Sequence, residues 1–162
     1  EDVIKRCAQQ RGVPSIDVLH ALEKLEAARG SAAAASADIF RDADGNAASW
    51  ELVFASAVAE LPLVGGMLDG YLPNRETLCW DLDAAQLDLE IELLPLTPKI
   101  SVVGNDLSWD AAVGTLTYSV KERPASTWTI VYADQDAGVI AARSSATGLT
   151  VLRRVILNGG LV

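Results

Sequence analysis

Residues 114–136 read GTLTYSVKERPASTWTIVYADQD, and this stretch decides the fold. Leu116, Tyr118 and Val120 alternate with Thr115, Thr117 and Ser119. After a charged, Pro-containing break at 121–126, Trp128, Ile130 and Tyr132 alternate with Thr127, Thr129 and Val131. Strict alternation in β-branched and aromatic residues marks strands with one buried face. Two such runs around a short connection read as a hairpin.

The same period recurs on both sides. Trp50, Leu52 and Phe54 form a first strand. Leu78, Trp80 and Leu82 form another, and Leu87, Leu89, Ile91 and Leu93 a third. Residues 100–103 read as a strand that turns at Gly104–Asn105 into a second short one at 107–109. The last strands lie at 139–142 and 149–155. About eight or nine short strands spaced roughly twelve residues apart suit an antiparallel barrel or sandwich. Between the first two strands, residues 57–69 are apolar and broken by Pro62 and Gly65–Gly66, a short helix or a lid.

The N-terminal quarter has a different period. Val3, Ile4, Cys7 and Ala8 recur at helical spacing before Gly12. Ile16, Leu19, Leu22 and Leu25 then form an apolar stripe that ends at Gly30. Residues 31–37 are a small-residue tract, and 38–49 are polar enough to read as a loop. The expectation is a helical segment with linker over 1–37 and a β domain over 38–162. By element count this is α+β with β dominant.

Composition excludes several functions. A net charge of −9 over 162 residues disfavours nucleic acid and anionic membrane surfaces. No apolar run is long enough for a transmembrane helix. The chain begins at Glu1, so a removed N-terminal segment is an expectation. Cys7 and Cys79 lack CxxC spacing and read as reduced thiols, one disulfide being the alternative.

The catalytic inventory is sparse. His20 is the one histidine, placed on a helix as a surface or structural residue, with a pigment-ligand role as the remote alternative. Asp81, Asp83, Asp88, Glu90 and Glu92 fall on the polar side of alternating strands, which is a solvated face. Asp42, Asp44 and Asn46 have calcium-loop spacing, but Gly45 comes one place early and Val53 stands at the twelfth position, so the stretch is an ordinary loop. No phosphate-binding Gly loop and no metal set emerges. The expectation is a protein that is not an enzyme.

What remains is the inner face. Trp50, Phe54, Trp80, Leu89, Ile91, Tyr118, Trp128 and Tyr132 are its candidate ligand-binding residues, with Trp80, Trp128 and Tyr132 orienting a flat or isoprenoid ligand. The competing expectation is a packed core. Leu61, Leu63, Val64, Met67, Leu68, Tyr71 and Leu72 form a candidate docking surface, because they do not alternate like the strands around them.

Several stretches resemble the plastid lipid-associated proteins, also called fibrillins or plastoglobulins. RGVPSIDVLHALEKLEAA (11–28) is similar to that family's N-terminal helical segment. SWELVFAS (49–56) resembles its opening strand, with Ser49, Phe54 and Ala55 where Gly, Tyr and Thr are usual. TWTIVYADQDAGVIAARSSATGLTVLRR (127–154) resembles its closing segment through Tyr132, Asp134, Asp136, Arg143, Gly148, Val151 and Leu152, with Ser144 in place of a Gly. The resemblance implies a lipocalin-like, non-catalytic barrel in the chloroplast, peripheral to thylakoids or plastoglobules. It implies prenyl lipid, quinone or carotenoid as ligands, with chlorophyll a further candidate pigment. The alternative is a structural subunit that docks on a photosystem or antenna complex through the helices of 2–29 and the apolar segment 61–72. Asp134 and Arg143, recurrent positions in that family, are expected to pair across neighbouring strands.

Overall fold

The computed structural model describes residues 1–29, 36–59, 69–93, 98–121 and 123–155. Eight antiparallel strands close into a barrel: β1 (Ser49–Ala55), β2 (Tyr71–Asp81), β3 (Gln86–Glu92), β4 (Ile100–Asp110), β5 (Thr115–Ser119), β6 (Ser126–Asp134), β7 (Val139–Ser144) and β8 (Gly148–Arg154). Each strand pairs with the next in sequence, and β8 returns to β1. This up-and-down order is lipocalin-like, and closure leaves no unpaired edge. The 114–136 hairpin is β5 and β6, with Leu116 opposite Trp128 and Tyr118 opposite Ser126.

Two helices precede the barrel, α1 (Asp2–Gln9) and α2 (Ser15–Ala28). They lie on its outer wall, where Ile4, Cys7, Val18 and Leu22 pack with Phe54, Val131, Val139, Ala141, Leu149 and Val151. Buried α2 positions are Val18 and Leu22, with Leu25 partly covered, whereas Ile16 is 55% exposed. The buried stripe thus runs at helical i, i+4 and i+7 spacing from Val18, not every third residue from Ile16. Cys7 and Cys79 are both free thiols.

The helices explain an asymmetry in the strands. β2 and β3 alternate between buried and more accessible positions, because water reaches their outer face. β1, β7 and β8 are buried almost continuously, because α1 and α2 cover their outer face.

Bulges redirect three expectations. β1 carries one residue more than β8 between Leu52 and Phe54, and β6 one more than β7 between Ile130 and Tyr132. Each extra residue flips the side chains that follow. Leu52 and Ile130 point into the barrel, while Phe54 and Tyr132 point out, under the helices. In β4 the irregularity falls between Asn105 and Ser108, with Asp106 at φ 57. Gly104–Asn105 is therefore no turn, and 100–110 is one bent strand.

A short helix, α3 (Ser56–Ala59), follows β1, and Gly70 leads into β2 at φ 80. A methyl group at Gly70 would overlap the Phe54 ring, in a backbone region that L residues rarely adopt. Gly70→Ala is expected to cost about 1–3 kcal/mol, read from the urea midpoint.

Ion pairs fasten the helices to the wall. The Lys5 ammonium meets Asp134 at 2.6 Å, and Arg143 forms a two-pronged pair with Glu26. Asp134 and Arg143 do not pair with each other. Asp134 stands opposite Val139 and Arg143 opposite Thr129, at different levels of the β6–β7 ladder. Lys5 and the Ala137 N–H hold the Asp134 carboxyl down to about 2, and Asp134 in turn raises Lys5 to about 12. A depressed carboxyl stabilises the fold above the unfolded value of about 4, and that contribution is lost as pH falls through about 2. In a urea titration against pH, wild type is expected to lose part of its midpoint between those limits. Asp134→Asn should start lower and stay flatter across the same window.

Candidate functional site

Trp50, Leu52, Leu78, Trp80, Leu87, Leu107, Leu116, Tyr118, Trp128, Ile130, Ile140 and Leu152 point inward. The strands reach their partners in register, so side chains lie side by side in rows around the wall: Trp50, Leu78 and half-buried Leu89 in one, Leu116 and Trp128 in another. Trp80 sits at its centre, edge to face with Trp128 at 5.6 Å between ring centroids. Trp128 donates from Nε1 to the Tyr118 hydroxyl at 3.4 Å.

A 3-10 turn (Ala37–Phe40) closes one end, inside a stretch that the sequence presents as a polar loop. Ser36 caps the turn, and the turn inserts Ile39 and Phe40 between the strand ends. Phe40 meets Trp80 at 5.5 Å and Trp109 at 5.2 Å, both edge to face. Arg154 donates to the Ile39 carbonyl and lies 5.0 Å over the Trp50 ring. Arg41 grips Asp83 through both terminal nitrogens, tying the turn to the β2–β3 connection. An isolated Ile-Phe pair among small and acidic residues was the one local signal of this plug.

The lumen behind Phe40 is full. Trp50, Leu52, Trp80, Leu116, Ile130, Ile140 and Leu152 are at most 2% exposed. A side chain lining a ligand cavity would leave uncovered surface facing it, and these leave almost none. The void that Phe40 and Trp80 line with Arg41, Ala47 and residues 81–83 measures about 10 Å³, room for one water at most. The indole N–H groups of Trp50, Trp80 and Trp109 are buried and meet no acceptor among the described residues.

The candidate ligand residues thus separate into groups. Trp50, Trp80, Tyr118 and Trp128 are brought together as core. Phe54 and Tyr132 lie outside the barrel, and neither can orient a molecule within it. Phe54 packs on Tyr71, and the Tyr132 hydroxyl donates to Asp134 at 3.2 Å. Leu89 and Ile91 are half-buried toward the opposite end, where Leu93 is 55% and Ile100 47% exposed. Ile91 stands between Glu76 and Ile100 in register there.

Of the candidate docking residues, Leu61, Leu63, Val64, Met67 and Leu68 lie outside the described residues. Tyr71 and Leu72 belong to β2 and form no docking surface. Leu72 is buried in the lumen, and the Tyr71 hydroxyl donates to the Val13 carbonyl at 2.8 Å. Their position next to an irregular apolar stretch hid the start of the strand.

Asp81 of β2 and Asp88, Glu90 and Glu92 of β3 sit on the solvent side, and exposed Asp83 lies in the connection between the two strands. Asp42 Oδ1 accepts from the Asp44 and Asn46 N–H groups, so the calcium-like spacing is that of a side chain capping its own turn. His20 is exposed. A groove of about 770 Å³ lies outside the barrel beside Ala8, Ala47, Gly138 and Val155. Asp42, Asp44 and Asp136 share its lining with Arg153 and Arg154, a mixed charge that selects no ligand class.

No family model matches the chain, and no curated protein or solved structure shows significant similarity to it.

Proposed function

We propose that this protein is a non-catalytic, fibrillin-like barrel of the chloroplast, peripheral to the thylakoid, that works through its outer surface as a structural subunit of a photosystem or antenna assembly. The observation that carries this reading is the filled lumen. Tryptophans that would orient a ligand instead pack against Phe40 and one another. A barrel with no room inside acts by what it presents outside.

The plastid setting rests on the resemblance of 11–28, 49–56 and 127–154, and the fold lends it support. Those stretches form one continuous unit, with β1 paired to β8 and α2 lying on β6 and β8. The test is mild-detergent extraction of tagged protein from a photosynthetic membrane, followed by identification of bound subunits. Stoichiometric photosystem or antenna subunits are the expected result, and recovery as a free monomer would contradict it.

A second reading, binding of a prenyl lipid, quinone, carotenoid or chlorophyll, is favoured by one observation. Three buried indole N–H groups meet no acceptor among the described residues, and each such orphan costs about 1–3 kcal/mol. A ligand carbonyl would satisfy them, but only after Phe40 left its seat. Exposed Leu93 and Ile100 at the other end offer a route for an apolar chain.

A further inference from the structure

On the outer wall, Glu51 is turned away from the lumen and its side chain is only 6% exposed. Three guanidinium groups surround it, from three separate elements. Arg153 of β8 donates to Oε2 through Nη2 at 2.9 Å and Nε at 3.2 Å. Arg11, in the turn between α1 and α2, donates to Oε1 at 3.2 Å and to the Leu72 carbonyl at 2.6 Å. Arg75 of β2 brings Nε to 3.8 Å from Oε2, outside hydrogen-bond distance.

One guanidinium suffices to neutralise a buried carboxylate. Three against one leave two surplus positive charges at one spot, in a chain whose net charge is −9. Glu92 stands opposite Arg75 across the β2–β3 ladder but closes no ion pair with it among the described residues. The backbone favours this convergence: β2 leaves its β1 ladder between Tyr71 and Glu76, so Arg75 is paired on its β3 side alone, at Glu92. The side chains of Arg11, Arg75 and Arg153 remain 38%, 53% and 41% exposed, so their outer edges face water.

We infer that Arg11, Arg75 and Arg153, held in place by Glu51, form a binding site for an oxyanion group, a phosphate or a sulfate. Guanidinium forks match the planar edges of such groups with paired donors. Glu51 sets the spacing of the forks and keeps them from repelling one another apart. Arg75, least engaged with Glu51, is the arm that closes on the ligand. The group could arrive free or on a lipid headgroup, and the chemistry of recognition is shared. This site does not depend on the proposed function, since neither the lumen nor a photosystem partner enters it.

The experiment has two arms on the full chain. Inorganic phosphate is titrated by calorimetry in low salt. Separately, the protein is co-sedimented with vesicles of phosphatidylglycerol and with vesicles of phosphatidylcholine. Arg75→Glu is compared with wild type in both arms, after circular dichroism establishes its fold. Arg75→Gln replaces it if the charge reversal prevents folding. Saturable phosphate binding that weakens about tenfold in the variant, with no vesicle binding, assigns a free oxyanion. Binding to phosphatidylglycerol alone, weakened by salt and by the variant, assigns a lipid headgroup. The inference is overturned if wild type binds neither probe, or if the Arg75 variants bind as tightly as wild type.

Discussion

Trp80→Ala is expected to lower the unfolding free energy by about 3–5 kcal/mol, the cost of emptying a large aromatic site in a packed core. Trp80 is 1% exposed and contacts Phe40 on one side and Trp128 on the other, so no neighbour can relax into the void without breaking an edge-to-face pair. A tryptophan lining a ligand cavity would behave differently. Its removal would enlarge a space that is already open, and stability without ligand would hardly change. Urea denaturation of the purified variant therefore separates core from binding wall. A midpoint close to wild type would count against a filled lumen.

Phe40→Ala carries the second large effect, also about 3–5 kcal/mol, with an added consequence. Phe40 is 1% exposed, yet it belongs to a four-residue turn instead of the barrel itself. Its backbone is secured independently, by the Arg154 bond to Ile39 and by the Arg41–Asp83 pair. Truncation should thus leave the turn in place and open an apolar hole above Trp80 and Trp109. Holes of this kind stay dry and accept small aromatic molecules. The variant is expected to gain stability on adding indole or benzene, read as a rise in melting temperature, while wild type gains none. An unaltered variant that ignores both compounds would mean that the plug is not what fills the end of the barrel.

The fold was legible from one physical regularity. Water on one face and core on the other force a period of two, and β2, β3 and β5 carry it openly. The strands under the helices carry a weaker signal. Leu52-Val53-Phe54 and Ile130-Val131-Tyr132 are three apolar residues in a row, which is what burial on both faces requires. Read as alternation alone, they placed Phe54 and Tyr132 in the lumen. A bulge changes facing without changing composition, so no count of apolar residues finds it.

The lumen itself was only half legible. An aromatic inner face follows from the alternation, but whether it is wall or filling depends on how much the far side intrudes. Here the intruder is Phe40, from a stretch whose acidic and small residues hide two apolar ones. The arginine site was not legible at all. Arg11, Arg75 and Arg153 are distant in sequence, and only the pairing of β1 with β8 on one side and β2 on the other, with the helical turn laid across them, brings them to Glu51. The expected Asp134–Arg143 pair failed for a related reason. Both side chains point outward, where Lys5 and Glu26 on the helices offer nearer partners.

The central claim is that the barrel is closed by its own side chains and acts through its surface. Native mass spectrometry of the purified protein, in the presence of excess prenylquinone, tests it most directly. The account predicts the mass of the bare chain at every quinone concentration. A one-to-one adduct that Trp80→Ala abolishes would contradict it, and would make the indole groups of Trp50, Trp80 and Trp109 the lining of a binding site.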